Sequence, residues 1–205
     1  MFVRIMKKQV LVIHGGTTFD TYREYLSYLK NQKIDLGKYR GERWRYKLGK
    51  DLGRGFDVLL PTMPNGGNAE YEEWKIVFKK IAAKLQSNVI LIGHSLGGIF
   101  LAKFLSENRF PKKIRATFLL APPYDDKDMD ETLGSFRLPK SLKGLERQGG
   151  RIFIYHSKDD KSVPFSHSER YLRDLPGATF RKFTNKGHFN QPKFPELVRD
   201  IKSLK

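Results

Sequence analysis

Short apolar runs alternate along the chain with stretches whose apolar residues recur every three or four positions. The runs are rich in β-branched residues, which is typical of strands buried on both faces. They occupy Gln9–Ile13, Phe56–Leu60, Val89–Ile92, Ile114–Ala121, Arg151–Tyr155 and Ala178–Phe183. Helical spacing is found in Tyr22–Leu29, Trp44–Leu52, Tyr71–Leu85, Ile99–Leu105, Ser166–Leu175 and Phe194–Ile201. This alternation predicts βαβ units and a parallel sheet, whose ligands bind at the carboxyl ends of the strands.

Length and composition favour a single domain. A chain of 205 residues with 39% hydrophobic content is long enough to bury one α/β core, so we expect one domain over 1–205. No apolar run approaches membrane-spanning length, and no membrane span is expected. The charges within the first eight residues interrupt any signal-peptide pattern, and cysteine is absent. These features predict a cytoplasmic protein.

Positive charge is in large excess, with 39 Lys and Arg against 22 Asp and Glu and a formal net charge of +17. Such a balance fits either an anionic partner or a solvated basic surface without a specific partner. The basic residues are scattered, and no helix-turn-helix, zinc-knuckle or RNP-like pattern is visible. We therefore expect at most weak, non-specific nucleic-acid binding. No metal-ligand spacing is visible either, so neither a metal nor an organic cofactor is expected.

The third predicted strand leads into a candidate nucleophile. Gly93-His-Ser-Leu-Gly97 fits G-x-S-x-G and stands between a buried strand and a helical pattern. That context distinguishes a nucleophile elbow from a glycine-rich turn with an idle serine. Small residues two positions before and after Ser95 let strand and helix approach closely. The sequence therefore predicts that Ser95 is a catalytic nucleophile.

A serine nucleophile needs a base and an orienting acid, which this kind of sheet supplies in chain order serine, acid, histidine. His188 follows the last predicted strand, a position from which its loop can reach Ser95, whereas His156 and His167 have less distinctive settings. The acid is expected after the fifth strand, where Asp159 and Asp160 stand side by side. Asp160 has the D-x-x-V-P spacing to Pro164, which opens the next helix, so we interpret Asp160 as the acid and Asp159 as a plain loop aspartate. Asp125 and Asp126, after the fourth strand, are the alternatives.

Two backbone N–H groups should stabilise the oxyanion. One is expected on Leu96, the residue after the nucleophile. The other is expected on Gly16, or next best on Thr17, because His14-Gly-Gly16 follows the first strand and glycine lets the backbone approach a substrate closely.

Taken together, these pieces resemble the α/β-hydrolases, and more narrowly the small serine hydrolases related to retinoblastoma-binding protein nine. The matching motifs are Gly93-His-Ser-Leu-Gly97, Ser157-Lys-Asp-Asp-Lys-Ser-Val-Pro164 and Gly187-His-Phe-Asn190. The resemblance implies a six-stranded parallel sheet in the order 2-1-3-4-5-6 with helices on both faces. It also implies Ser95, Asp160 and His188 as the triad.

The chain departs from that family by an insertion before the helix at Trp44–Leu52, covering roughly residues 19–40. We expect this segment and a second one at about 122–148 to be lid-like. The first would bring the basic residues Lys33, Lys38 and Arg40 near the catalytic edge.

The sequence therefore predicts a serine hydrolase of carboxylesterase type that cleaves short acyl esters through an acyl-serine, with a small-molecule substrate. Two alternatives stay open. One is a non-enzymatic interaction protein that uses its basic surface on the same fold, and the other is a serine peptidase or thioesterase.

Overall fold

The computed structural model describes residues 7–36 and 40–204. Lys38, which the sequence places near the catalytic edge, lies outside the described residues. In the described part of the chain, six parallel strands form one sheet: β1 (Lys8–Ile13), β2 (Phe56–Leu59), β3 (Val89–His94), β4 (Ile114–Leu120), β5 (Arg151–Ser157) and β6 (Thr179–Phe183). Their order is β2-β1-β3-β4-β5-β6, which confirms the expected fold.

Within the described ranges, seven α-helices connect or follow these strands. They are α1 (Tyr22–Asn31), α2 (Trp44–Leu52), α3 (Tyr71–Lys84), α4 (Leu96–Glu107), α5 (Lys143–Gln148), α6 (Ser166–Asp174) and α7 (Pro195–Lys202). The hydrophobic spacing did not indicate α5, nor the short 3₁₀ helix at Gly134–Phe136, within the irregular stretch after β4. Both are short, and a helix of one or two turns leaves too few apolar repeats for its period to be recognised.

The core lies in two layers, one on each face of the sheet. Side chains alternate along each strand, so Leu11 and Ile13 face one layer while Val10 and Val12 face the other. Helices α3, α4 and α5 cover the first layer, and α2 and α7 cover the second through Trp44, Leu48, Leu197 and Ile201. Burial on both faces explains the apolar run of the central strand β3, whereas the edge strands β2 and β6 are only partly buried and contain charged residues.

The central strands are the most deeply enclosed part of the sheet. All six residues of β3 are buried, and this strand pairs with β1 on one side and β4 on the other. The chain turns directly from β3 into α4, so the residue between them is fixed at the carboxyl edge of the sheet. This residue is Ser95.

Candidate active site

Ser95 occupies a strained turn between β3 and α4. Its φ of 55° and ψ of −123° lie in a region that non-glycine residues rarely adopt. A Cβ added to Gly93 would overlap the backbone of Gly97, and one added to Gly97 would overlap the carbonyl of Ile13. The two glycines of the motif are therefore required by the close approach of α4 to β3 and β1. Strand and helix together hold the Ser95 side chain at the sheet edge.

His188 and Asp160 form a hydrogen-bonded pair on neighbouring loops. The His188 Nδ1–H donates to Asp160 Oδ2 over 2.8 Å. The other carboxylate oxygen, Oδ1, accepts from the N–H groups of Ser162 and Val163 at 2.8 and 3.0 Å. Since Nδ1 carries the proton of a neutral ring, Nε2 of His188 is left as the basic nitrogen.

The environment of Asp160 favours its charged form. Burial by itself raises the pKa of this carboxyl. The hydrogen bond and charge of His188, together with the two backbone N–H groups, outweigh burial and hold the pKa below its usual value. Asp160 is therefore a carboxylate at neutral pH, suited to orienting an imidazole and stabilising its protonated form.

Ser95 and His188 line the same cavity, which has a volume of about 340 Å³. Gly16 and Leu96, the two residues expected to bind an oxyanion, also line it. Its remaining walls come from three loops at the carboxyl edge of the sheet: Thr17 and Thr18 after β1, Pro123 and 129–133 after β4, and Lys161, Ser162 and Val163 after β5. The structure thus brings Ser95, His188, Gly16 and Leu96 together around one space, with Asp160 directly behind the histidine.

Asp159 does not face His188 and makes a different set of contacts. Its Oδ1 accepts from the Ser157 hydroxyl and, at 3.0 Å, from the Gly187 N–H. The Ser157 hydroxyl oxygen in turn accepts from the Lys186 N–H at 3.0 Å. The two adjacent aspartates therefore contact the His188 loop in two ways. Asp160 accepts from the His188 ring, and Asp159 accepts from the backbone N–H of the preceding residue, Gly187.

Two further side chains hold the His188 loop from the opposite side. The Trp44 indole N–H donates to the carbonyl of Phe189 at 2.8 Å. The His94 Nε2–H donates to the carbonyl of His188 itself, also at 2.8 Å, and the two imidazole rings lie 5.0 Å apart. Burial lowers the pKa of His94 to about 3, and electrostatic repulsion from the neighbouring His188 imidazole acts in the same direction. His94 is therefore neutral at physiological pH and acts as a fixed donor.

The loop after β1 is shaped by a neutral His14. The Met63 N–H donates to His14 Nε2 at 2.8 Å, so the ring proton is on Nδ1, which contacts the Gly15 carbonyl at 2.5 Å. The Thr17 N–H is engaged by the Gly66 carbonyl at 3.0 Å. A Cβ on Gly16 would lie 2.8 Å from that same carbonyl oxygen, so only glycine fits there.

The loop after β4 is ordered by its acidic residues. Asp125 pairs with Arg170, and Asp126 pairs with Arg137 at 2.5 Å while accepting from the Leu133 N–H at 2.6 Å. These contacts engage both carboxylates with arginines and backbone, whereas the carboxylate hydrogen-bonded to His188 is that of Asp160. They also shape the wall of the cavity at 129–133, and the buried His167 supports the start of the loop by accepting from the Tyr124 N–H at 2.8 Å.

Comparison with known proteins gives the chain a family. Residues 41–194 match the family model described as serine hydrolase, which is most of the chain. The chain belongs to the serine hydrolase family.

Two relatives of this serine hydrolase and one protein of the same fold illustrate the match. It is 26% identical to the serine hydrolase RBBP9 of Rattus norvegicus over 73% of this chain and 78% of that protein. It is 26% identical to the putative hydrolase YdeN of Bacillus subtilis, over 90% of this chain and 87% of that protein. The YdeN crystal structure superposes with a TM-score of 0.71 at 20% identity, and the alignment covers 97% of this chain and 98% of that chain. The naproxen esterase of Bacillus subtilis shares the fold, with a TM-score of 0.58 at 14% identity. The alignment covers 96% of this chain and 82% of that chain.

Several residues that support the site of this serine hydrolase were not foreseen from its sequence. Trp44, His94 and Asp159 position the His188 loop, and Asp159 was interpreted as an ordinary loop aspartate. His94 stands inside the elbow motif and Asp159 inside the acid motif, but neither position indicates which backbone group the side chain reaches.

In 7–36 and 40–204 no helix is long and apolar enough to cross a membrane. The same residues contain no group of three or more potential ligands that could hold a metal ion.

Proposed function

We propose that this serine hydrolase cleaves short acyl esters through an acyl-enzyme formed on Ser95, with His188 as the base and Asp160 as the acid of its triad. The observation that carries the proposal is the hydrogen-bonded His188–Asp160 pair lying with Ser95 at one cavity. A serine held at positive φ beside such a pair is the arrangement from which a neutral hydroxyl becomes a nucleophile.

In the first step, Ser95 Oγ forms a bond to the carbonyl carbon of the ester while its proton passes to His188 Nε2. The tetrahedral intermediate collapses when the C–O bond to the alcohol breaks, and the alcohol leaves with the proton from His188. Water then attacks the acyl-serine, giving its proton to the same nitrogen, and the acid is released as Ser95 recovers its proton. Asp160 holds the Nδ1–H throughout, so that Nε2 is the nitrogen that accepts and returns each proton.

The developing oxyanion would be bound by the N–H groups of Leu96 and Gly16. Leu96 is the first residue of α4, where backbone N–H groups lack helical partners and the helix dipole favours negative charge. Gly16 is preferred to Thr17 because the Thr17 N–H already donates to Gly66. Removing one oxyanion donor costs about 10²–10³-fold in kcat in a well-studied serine protease.

The dimensions and lining of the cavity support a small, partly polar substrate. Its volume is about 340 Å³, and most of its lining side chains are polar, including Thr17, Thr18 and Thr132. Asp130, Glu131 and Lys161 place charges of both signs on the wall. We propose that the loop at 129–133, within the lid-like segment 122–148, limits the acyl chain, since it lines the cavity and is held to the loop after β1 by the Thr18 hydroxyl, which donates to the Thr132 carbonyl.

The test is a panel of p-nitrophenyl esters from acetate to decanoate, assayed with the wild type and with Ser95→Ala and His188→Ala. We expect the highest kcat/KM for the short chains and a loss of at least about 10³-fold in both variants. Equal turnover by the wild type and His188→Ala would refute the mechanism. Preference for decanoate would refute the short-chain assignment alone.

A second set of substrates distinguishes ester hydrolysis from the related thioesterase and peptidase reactions. Matched thioester and anilide substrates of the same acyl group would reveal a thioesterase or a peptidase by a higher kcat/KM than for the oxygen ester. An inactive protein whose Ser95 is unreactive would favour the interaction protein that uses its basic surface.

A further inference from the structure

Exposed apolar side chains are concentrated in one segment of the molecule. Among the described residues, nine large hydrophobic side chains are exposed, and six of them fall within residues 22–36. They are Tyr22, Leu26, Tyr28, Leu29, Ile34 and Leu36. Single exposed apolar residues are common on protein surfaces, but a contiguous group marks an interaction surface.

Helix α1 arranges three of these residues as a stripe. Tyr22, Leu26 and Leu29 stand at positions i, i+4 and i+7, which share one side of a helix. Their side chains are 67%, 38% and 42% exposed, and α1 has no buried residue. The helix is nevertheless well formed, because Thr21 and Glu24 close a capping box at its start.

The inner side of α1 explains why the stripe faces outward. Tyr25 and Tyr28 pack on Phe19, with ring centroids 5.4 and 5.1 Å apart. Asp20, just before the helix, accepts from the Thr132 hydroxyl at 3.0 Å and so joins the segment to the wall of the active-site cavity. Residues 19–36 and 40 do not themselves line that cavity.

Positive charges border the stripe. Arg23 and Lys30 lie three residues before and four residues after Leu26, so both are its neighbours on the same side of the helix. Glu24, the acidic residue of α1, is engaged in the capping box and stands away from this edge. The whole chain adds a formal net charge of +17.

We propose that the face of α1 formed by Tyr22, Leu26 and Leu29, with Arg23 and Lys30 at its edge, docks onto an anionic phospholipid surface. An apolar stripe beside basic residues is the pattern of helices that lie in the membrane interface, where the apolar side chains enter the acyl boundary and the basic ones meet phosphate groups. This inference goes beyond the proposed hydrolysis and does not depend on it.

The charge of the molecule disfavours the other occupants. A second copy would bring the same basic edge and the same net positive charge against itself. Nucleic acid would satisfy the basic residues but leave the leucines of the stripe exposed to water. A single convex helix without a groove also fits a deformable lipid surface better than a rigid partner.

The test is flotation of the Ser95→Ala protein with vesicles of phosphatidylcholine alone and of equal parts phosphatidylcholine and phosphatidylglycerol. Using Ser95→Ala removes turnover, so a failure of the proposed hydrolysis leaves this measurement intact. We expect binding only to the anionic vesicles, weakened at high salt. The double variant Leu26→Ser/Leu29→Ser, added to Ser95→Ala, should lower the partition coefficient about tenfold or more.

Two matched controls use the exposed side of α3. Ile76, 56% exposed, is changed to Ser, and the pair Lys79→Gln/Lys80→Gln is compared with Arg23→Gln/Lys30→Gln. The α3 changes should alter partitioning less than about twofold, whereas Arg23→Gln/Lys30→Gln should reduce it several-fold. Unchanged melting temperatures would verify that each variant is folded.

Three results would overturn the proposal. One is that the Ser95→Ala protein, whose α1 is unchanged, does not bind anionic vesicles. The second is binding that Arg23→Gln/Lys30→Gln and Lys79→Gln/Lys80→Gln weaken equally while the leucine changes have no effect, which would show general electrostatic attraction. The third is a concentration-dependent dimer broken by Leu26→Ser/Leu29→Ser, which would assign the stripe to a second copy.

Discussion

The Asp159 carboxylate accepts a hydrogen bond of 3.0 Å from the backbone N–H of Gly187, the residue immediately before His188. The same oxygen accepts from Ser157, whose hydroxyl oxygen accepts from the Lys186 N–H. β5 is thereby tied to the loop that carries the histidine. Asp160 orients the ring, and Asp159 fixes the backbone from which the ring projects.

Replacing Asp159 by alanine should lower kcat about 10–100-fold with little change in KM, because a small displacement of His188 disturbs proton transfer more than binding. Asp159→Asn should stay within about tenfold of the wild type, since an amide oxygen can still accept from Gly187 and Ser157. Steady-state kinetics on p-nitrophenyl acetate would measure both. An Asp159→Asn variant as impaired as Asp159→Ala would show that the charge, not the hydrogen-bonding geometry, is required.

Asp160→Asn should be far more damaging. An amide at this position can donate to Nδ1 and so favour the wrong tautomer; in serine proteases the corresponding change lowers kcat about ten-thousand-fold. The fold should survive because the side-chain oxygen can still accept from Ser162 and Val163. Comparing kcat of Asp160→Asn and Asp159→Asn on one ester decides between the neighbours. A severe loss of kcat in Asp159→Asn alone would show that Asp159, not Asp160, is the acid of the triad.

The sequence was sufficient to predict the sheet, because the central strands are short apolar runs and the long helices between strands have a clear apolar period. It was equally informative about Ser95, where glycines are needed on both sides of a strained turn. Both features are local, so neighbouring residues report them directly.

Contacts between distant segments could not be predicted in the same way. Trp44 reaches Phe189 across 145 positions, and His94 reaches the carbonyl of His188 across 94. Such pairings depend on how α2 packs against the loop before α7. No periodicity in the chain encodes them. The environment of α1 is a similar case, since its apolar spacing predicted the helix but not that its stripe would remain exposed.

The elbow glycines allow a direct test of the close packing around Ser95. Gly97→Ala should abolish soluble expression or activity, because its Cβ would overlap the Ile13 carbonyl and lie 2.6 Å from that of His14. Gly177→Ala is the matched control, since no atom lies within 4 Å of its added Cβ. Circular dichroism and melting temperature would compare the two. A stable, active Gly97→Ala protein would contradict the described approach of α4 to β1.

Stability should fall as the pH is lowered through the range in which a free histidine titrates. Burial depresses the native pKa of His94 to about 3, whereas the unfolded chain binds the proton near the ordinary value of about 6.5. Below about pH 6.5 the unfolded state therefore gains a proton that the native state does not. At pH 5 this costs about 2 kcal/mol of stability, and the cost grows until the pH reaches the native pKa.

Urea denaturation of the wild type and His94→Gln at pH 7 and pH 5 would measure this contribution. Burial also lowers the pKa of His14, His156 and His167, so the wild type should lose additional stability over the same interval. His94→Gln should lose less than the wild type between the two pH values. Equal losses would show that His94 is not held neutral in the native state.

Covalent labelling of Ser95 is the most direct test of the account. A fluorophosphonate reacts with a serine hydroxyl only where a base activates it, so intact-mass measurement and peptide mapping report the nucleophile without any choice of substrate. We predict one adduct, on Ser95, lost in Ser95→Ala, strongly slowed in His188→Ala and retained in the Gly177→Ala control. A wild-type protein that stays unlabelled, or an adduct that persists in Ser95→Ala, would contradict the proposal that Ser95 is the catalytic nucleophile.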